Sequence, residues 1–296
     1  YRASPERPLV FAYGELAQPG VMEVIETEYV GASLAPRRQF RAMANSMPFL
    51  LERFPSHRAY SEATLEEMLG DRAVLSRRVS AATLASTVFL STDGAGFRAV
   101  ELPPEAQHAP AFGVSVADFD GDGHEDVLLA QNFYPLEPVI SRIDAGLGLM
   151  LRGDGKGGLT AVAASDSGIR VDGDQRGVAV SDFDADGRPD LVFTQNGAAT
   201  RLYRNQTGRP GLRVRLVGPA GNRAGYGAVL RARQGERLGP AREVHGGSGY
   251  WSQDGAVQVL GGVEPVTAVL VRWPGGRETE VKVPQGAREI TVRDSD

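Results

Sequence analysis

The chain has 296 residues, 42% apolar and 23% charged, enough to bury a full core and to divide into two domains. It has no cysteine, which excludes disulfides, zinc–thiolate centres and cysteine nucleophiles while leaving the compartment open. Its formal charge of −5 comes with no basic stripe for nucleic acid, and no run of 18 apolar residues offers a membrane span.

The 37 glycines and 18 prolines suit many tight turns between short strands, so a mainly β fold is expected. The first residue is Tyr and no signal peptide follows it, so a processed or truncated piece is expected. Residues 10–25 carry Glu15, Gly20 and Glu23 at spacings that recur twice further on. Where the later copies hold aspartate, this one has Ala17 and Pro19, so it reads as a copy of the same unit without its metal. Residues 37–80 break the β pattern. Phe40, Met43, Met47 and Leu50 recur at helical steps, Ser61 precedes a second helical run at residues 64–69, and Gly70 stands where a C-terminal cap belongs. This is read as a helical insertion in the first repeat, with Phe49, Phe54 and Tyr60 packing on the repeat and His57 serving as a cap or surface residue. A hairpin at residues 88–97 follows, turning at Thr92-Asp-Gly94.

The most informative stretch then begins. Asp118, Asp120, Asp122 and Asp126 occupy positions 1, 3, 5 and 9 of a short loop, and Asp182, Asp184, Asp186 and Asp190 repeat that spacing 64 residues later. Four carboxylates so close repel one another unless a cation neutralises them. Hard oxygen donors on a glycine-containing loop suit Ca²⁺, with six to eight loosely arranged oxygens, better than the strict octahedron of Mg²⁺. An EF-hand is excluded, because position 12 holds Leu129 and Phe193 where that motif needs a bidentate Glu, and the flanks read as strands where it needs helices. Position 7, His124 and Arg188, is expected to offer its backbone carbonyl. Two bound Ca²⁺ would bring the charge from −5 to −1. Glu15 to Asp118 spans 103 residues, about 40 more than the repeat spacing, and the helical insertion accounts for the excess.

Hairpins follow both loops, at residues 149–159 and 201–208. The first contains Arg152-Gly-Asp154, whose Gly and Asp are explained by turn chemistry without an adhesive role. Gln131, Asn132, Gln195 and Asn196 lie just past the loops, where they could present amides to a substrate or bond neighbouring sheets. From residue 211 onward, β-branched runs at 212–217, 266–273, 280–283 and 289–293, bounded by Gly and Pro, read as a small β-sandwich or barrel with Trp273 in its core.

The loops Asp-Phe-Asp-Gly-Asp-Gly-His-Glu-Asp126 and Asp-Phe-Asp-Ala-Asp-Gly-Arg-Pro-Asp190 resemble the FG-GAP or VCBS repeats of integrin-type β-propellers. The segments Asn222-Arg-Ala-Gly-Tyr-Gly-Ala-Val229, Ser248-Gly-Tyr-Trp-Ser-Gln253 and Arg272-Trp-Pro-Gly-Gly276 resemble the ASPIC/UnbV domain that follows such repeats in bacterial relatives of the cartilage acidic protein type. The resemblance implies three propeller blades over residues 1–210, with the helical insertion at about 37–80, then an ASPIC/UnbV-like β domain over 211–296. Calcium would clip the loops at the blade entries.

Chemistry points away from an enzyme without excluding one. His245, Ser248 and Asp254 form the best nucleophilic constellation, but Gly246-x-Ser248-x-Tyr250 lacks the closing Gly of a nucleophile elbow, and the three are too close in sequence on β structure to form a triad. The expected function is a calcium-binding extracytoplasmic module, secreted, periplasmic or at the cell surface, for binding, adhesion or scaffolding. A calcium-dependent enzyme using the propeller face and a structural subunit of an envelope complex are the alternatives. Three blades are fewer than the four to eight of a closed propeller, so upstream blades or a protein partner should complete the ring, and a glycan is a possible ligand. The first strand near residues 9–13, or the edge strand near 202–204, is expected to pair outside the chain or to be capped by the C-terminal domain, with Phe40, Met43, Met47 and Phe54 as a second partner surface.

Overall fold

A computed structural model of the protein describes residues 3–92, 94, 96–136 and 141–294. The chain forms two compact units, residues 1–85 and 86–296. Strand accounts for 40% and helix for 13%.

In the first unit, β1 (Leu9–Gly14) and β2 (Glu23–Val30) form an antiparallel hairpin around the Glu15 loop, and β3 (Ser33–Pro36) extends it. Four short helices follow: α1 (Phe40–Ser46), α2 (Phe49–Arg53), α3 (His57–Ser61) and α4 (Leu65–Leu69). None is long enough to be stable by propensity, so packing must hold them. Phe40, Met43, Ala44, Met47, Leu65 and Met68 bury the apolar stripe of this insertion on Ala12, Leu16 and Ile25 of the hairpin. Caps fix the helix starts. Thr64 and Glu67 make a reciprocal capping box on α4, and Gly70 ends it with φ +55°. Ser56 caps α3, so His57 is that helix's first residue and lies edge-on to Phe40, not a cap.

Two expectations fail in this unit. β1 is not an edge, because β4 (Arg77–Ala81) pairs along it from Leu9 to Tyr13. Nor do Phe40, Met43 and Met47 form an exposed surface, since the hairpin and the other helices cover them. Long-range strand pairing and tertiary burial decided both, and neither leaves a local sequence signal.

The second unit opens with a lone hairpin, β5 (Thr87–Thr92) and β6 (Gly96–Glu101); Asp93 and Ala95 of its turn lie outside the described residues. Next comes a four-stranded antiparallel sheet of β7 (Ala111–Ala117), β8 (Asp126–Gln131), β9 (Leu149–Gly153) and β10 (Leu159–Val162). After a single helical turn, α5 (Ala164–Ser167), a three-stranded sheet is built from β11 (Asp174–Ser181), β12 (Asp190–Asn196) and β13 (Ala198–Tyr203). The first strand, β7, buries small residues, Gly113, Ser115 and Ala117, and so lets β11 approach closely. A β-carbon on Gly113 would sit 2.8 Å from the Arg176 carbonyl oxygen. Leu128, Ala130, Val178, Leu191 and Phe193 fill the space between the sheets. Among the described residues β13 pairs with β12 alone, and its Leu202 is exposed.

The rest of this unit is two further sheets over one core. One comprises β14 (Leu212–Val217), β18 (Gln258–Leu260) and β21 (Glu289–Arg293), with β14 and β21 parallel. The other comprises β15 (Val229–Gln234), β16 (Arg237–Leu238), β17 (Arg242–Glu243), β19 (Ala268–Arg272) and β20 (Glu278–Lys282). Val214, Leu216, Leu230, Val269, Val271 and Val292 meet between them. Trp273 is 3% exposed and donates its indole N–H to Thr279 Oγ1 at 3.0 Å, as a core Trp should. Among the described residues no helix is long and apolar enough to cross a membrane.

The helices of the first unit are thus a structural part of its core. Leu65→Ala, which truncates a side chain with no exposed surface, is expected to cost about 2–5 kcal/mol in urea denaturation. A loss below about 0.5 kcal/mol, ordinary for a surface substitution, would show the helices to be dispensable.

Candidate metal centres

Each acidic loop joins the first two strands of a sheet, β7 to β8 and β11 to β12, so the strands hold its ends in register. The hydrogen bonds within it follow from carboxylates having only acceptors and the turn having only donors to spare. Asp118 at position 1 takes the amides of Gly121 (2.7 Å), Asp122 (3.0 Å) and Gly123 (2.9 Å). Asp126 at position 9 reaches back to the Phe119 amide and across to that of Gly153, both at 2.9 Å. Loop 2 repeats the scheme. Asp182 takes the amides of Asp186 and Gly187, and Asp190 those of Phe183 and Asn205. The turn needs left-handed backbone at position 4, supplied by Gly121 at φ +74° in one copy and by Ala185 at φ +62° in the other.

The Glu15 loop keeps this wiring without the chemistry. Glu15 accepts from Gly20 at 3.0 Å, as position 1 does from position 6 elsewhere, and Glu23 accepts from Leu16 at 2.7 Å, as position 9 does from position 2. With Ala17 and Pro19 between them, only two carboxylates remain. It is the same loop closed by its own amides.

In the acidic loops, by contrast, carboxylate oxygens of Asp118, Asp120 and Asp126 come within 4.8 Å of one another, as do those of Asp182, Asp184 and Asp190. Positions 1 and 9 are buried and position 3 faces solvent at least in part. Burial pushes the Asp126 carboxyl up to about 6, with Asp120 and Asp118 adding repulsion, while the Gly153 and Phe119 amides pull the other way. Burial also raises Asp118 and Asp190. Three converging all-oxygen carboxylates, two of them desolvated, are the donor set of a hard divalent cation, and the open side at position 3 leaves room for water to complete its shell. The residues therefore could hold a hard divalent cation at each loop, Asp118, Asp120 and Asp126 at one and Asp182, Asp184 and Asp190 at the other.

Position 5 does not join these groups. Asp122 and Asp186 each accept the amide two residues on, at 2.8 and 3.0 Å, and their remaining oxygens face the position-7 side chains, His124 Nδ1 at 3.4 Å and Arg188 Nη1 at 2.9 Å. Arg188 also donates Nε to the Gly208 carbonyl at 2.6 Å, whereas His124 Nδ1 is buried and makes no hydrogen bond among the described residues.

Arginines surround both centres, and sequence reasoning missed them. Arg152 reaches Asp120 at 2.9 Å and Arg204 reaches Asp184 at 2.6 Å, from equivalent places on the third strand of each sheet. The residue after each, Gly153 or Asn205, gives its amide to position 9. A shared Leu-x-Leu-Arg-Gly and Arg-Leu-Tyr-Arg-Asn pattern carries this signal, but the unequal spacing from the loops hides it. The pairing also disposes of the Arg-Gly-Asp motif, since Asp154 is tied to the amides of Lys156 and Gly158 in its own turn.

The C-terminal sheets press on the loops. Arg213 of β14 pairs with Asp182 at 2.7 Å and with Glu289, and Arg242 of β17 grips Glu125 with two contacts of 2.7 and 2.9 Å beside Asp118. The Arg209 amide bonds the Asp120 carbonyl and the Gly211 amide that of Gly187. Nothing local in the sequence predicts these contacts, which span up to 117 residues.

This pressing layer can now be placed. Residues 218–296 match the ASPIC and UnbV family model. The match covers the C-terminal sheets from the end of β14 and stops short of both loops. No curated protein matches the chain.

The remaining expected residues are structural or scattered. The Asn132 side chain donates to the Gly146 and Gly173 carbonyls and the Gln131 backbone N–H to the Gln175 side chain, while Asn196 bonds Asp174 and Gln195 the Ala199 carbonyl within their own sheet; the Gln131 side-chain amide nitrogen is buried with no protein partner among the described residues. Ser248 Oγ accepts the Asp254 amide at 2.6 Å, Asp254 accepts from Val180, and His245 lies 3.7 Å from Glu243, an arrangement that orders a loop and does not form a Ser–His relay.

Because folding raises these carboxyls, a metal-free chain binds more protons folded than unfolded, so its stability is greatest below the ordinary carboxylate range and falls as pH rises through about 6. In EDTA the melting temperature should therefore drop between pH 5 and 7. Added Ca²⁺, which needs the ionised carboxylates, should raise it more at pH 7 than at pH 5. A calcium increment that is flat or larger at pH 5 would contradict this.

Proposed function

We propose that the chain is a calcium-binding β-propeller module that ends in an ASPIC/UnbV-like domain and serves outside the cytoplasm in binding, adhesion or scaffolding. The observation that carries this is the duplicated cluster of three converging carboxylates, built twice with the same backbone wiring and once, at Glu15, with the wiring alone. A cation bound at each cluster supplies neutralising charge, and the loops then lock the first two strands of each sheet and the arginine layer above them. Chemistry on a substrate is not asked of either ion.

In this reading residues 1–210 form three FG-GAP/VCBS-like blades and 211–296 the appended β domain. What supports the blades is the strand–loop–strand unit and the close packing of β7 against β11 through small residues. Three blades do not close a ring, so further blades from outside residues 1–296, or a protein partner, would complete it. The one-sided β13, with Leu202 exposed, is where such a neighbour would add.

Titration calorimetry with Ca²⁺ is expected to give two sites. Asp126→Ala and Asp190→Ala should each remove one, and Glu23→Ala none. For a Kd of about 10⁻⁵ M and millimolar calcium, each site adds about 2.7 kcal/mol to stability. Absence of heat and of any melting shift in millimolar Ca²⁺ would overturn the reading.

A further inference from the structure

The loop between β17 and β18 holds a tryptophan that the fold does not use. Trp251 is 87% exposed, yet its backbone sits in the left-handed region at φ +46°. For a bulky side chain that conformation costs about 1–3 kcal/mol and persists only where the surroundings enforce it.

The enforcement is visible. Ser248 and Ser252 bond each other's backbone, the Asp254 amide bonds Ser248 Oγ, and Asp254 and Gly255 are tied to both backbone groups of Val180. Gly177 of β11 lies under the Tyr250 and Trp251 carbonyls, where a β-carbon would approach them to 3.3 and 3.4 Å.

Behind the indole stands a graded aromatic stack. Trp251 lies 5.1 Å from Tyr250 at 31°, Tyr250 meets Phe112 at 5.4 Å, and Phe112 meets Phe133 at 5.8 Å. The buried guanidinium of Arg176 lies over Phe112 at 4.2 Å and is itself fixed by Asp174 at 2.6 Å and by the Asn132 and Gln175 carbonyls. The platform is rigid at its base and open at its tip.

The same loop walls a cavity of about 380 Å³, within the range of small-molecule pockets. Its lining mixes Val114 and Val116 with the polar groups of Ser115, Glu243, His245, Ser248, Asp254 and Gln258, and includes Arg242, which is held by Glu125. Hydroxyl, imidazole, amide and carboxylate groups beside a bare aromatic face match one ligand chemistry. A sugar ring presents C–H groups, slightly positive, to the negative face of an indole, and its hydroxyls take carboxylate and amide partners. A nucleotide would bring phosphate toward Glu243 and Asp254, and an anionic lipid surface would meet the same carboxylates.

We propose that Trp251, backed by Tyr250 on the loop that also walls this cavity, is a binding site for a neutral saccharide. The site gives the proposed binding module its ligand class and rests on that reading; Glu125 of the first loop also lines the cavity, but Trp251 and Tyr250 lie outside both metal loops.

The chain contains only two tryptophans, and Trp273 is buried, so Trp251 reports on its own occupancy. The test applies the whole chain, in millimolar Ca²⁺, to an array of neutral oligosaccharides of hexoses and N-acetylhexosamines. A retained glycan is then titrated in solution with acrylamide quenching. Retention of at least one structure, protection of the accessible tryptophan by that glycan, and an at least tenfold loss of retention in Trp251→Ala are expected. Trp251→Gly, which suits the left-handed backbone, should lose binding equally while melting no lower than the parent. Retention of no glycan, equal retention by Trp251→Ala, or adsorption to phosphatidylcholine vesicles that depends on Trp251 would each overturn the proposal. So would a lower melting temperature for Trp251→Gly, which would make the ring structural. Both variants should keep the calcium melting shift, so failure here leaves the metal reading standing, and loss of that shift in the parent would not.

Discussion

Like charges gathered out of water dominate this molecule. Asp118 with Asp126, and Asp182 with Asp190, are buried side by side on single short loops; burial drives the carboxyls of Asp118, Asp126 and Asp190 toward protonation, and neighbouring aspartates add repulsion at Asp126 and Asp190. Backbone amides offset part of that cost, because each buried carboxylate accepts two or more N–H groups from its own turn or from the third strand of its sheet. The comparison with Glu15 and Glu23 shows what the amides alone can hold, namely two carboxylates and not three. The third carboxylate, at position 3, is drawn inward at its oxygens while an arginine from the third strand holds its outer side.

That electrostatic demand explains why the C-terminal sheets sit where they do. Arg213 and Arg242 bring positive charge to the two loops from 23 residues or more beyond the end of the second of them (213 − 190 = 23), and glycine lets the backbones meet. A β-carbon on Gly261 would strike Asp118, and one on Gly121 would strike the Arg209 backbone. The ASPIC/UnbV-like layer and the loop-bearing sheets therefore share a charged seam, which is the physical reason that residues 86–296 form one compact unit.

The parts of this organisation that were legible in the sequence are the local ones. Aspartates at positions 1, 3, 5 and 9 and glycine at 6 describe a turn whose bonds close within nine residues, so spacing alone reports it, and Thr64 with Glu67 and Gly70 reports a helix start and stop in the same way. What spacing could not separate was role within the turn. Asp122 and Asp186 look like their neighbours in sequence but spend their oxygens on position 7. Contacts between distant segments were invisible: β4 covering β1, the parallel pairing of β14 with β21, and the arginines of β9, β13, β14 and β17 at the loops. Trp251 shows the same limit from the other side, since a Ser-Gly-Tyr-Trp-Ser-Gln run reads as a motif while only the backbone angle and exposure of its indole mark it as unused by the fold.

The central claim is that each carboxylate cluster is a cation site. Crystals grown in calcium, with anomalous data collected at long wavelength, test it most directly. Two peaks are predicted, one bounded by Asp118, Asp120 and Asp126 and the other by Asp182, Asp184 and Asp190, with none at Glu15 and Glu23. Loops without a peak, with Arg152 and Arg204 folded in among the converging oxygens as the neutralising charge, would contradict the account.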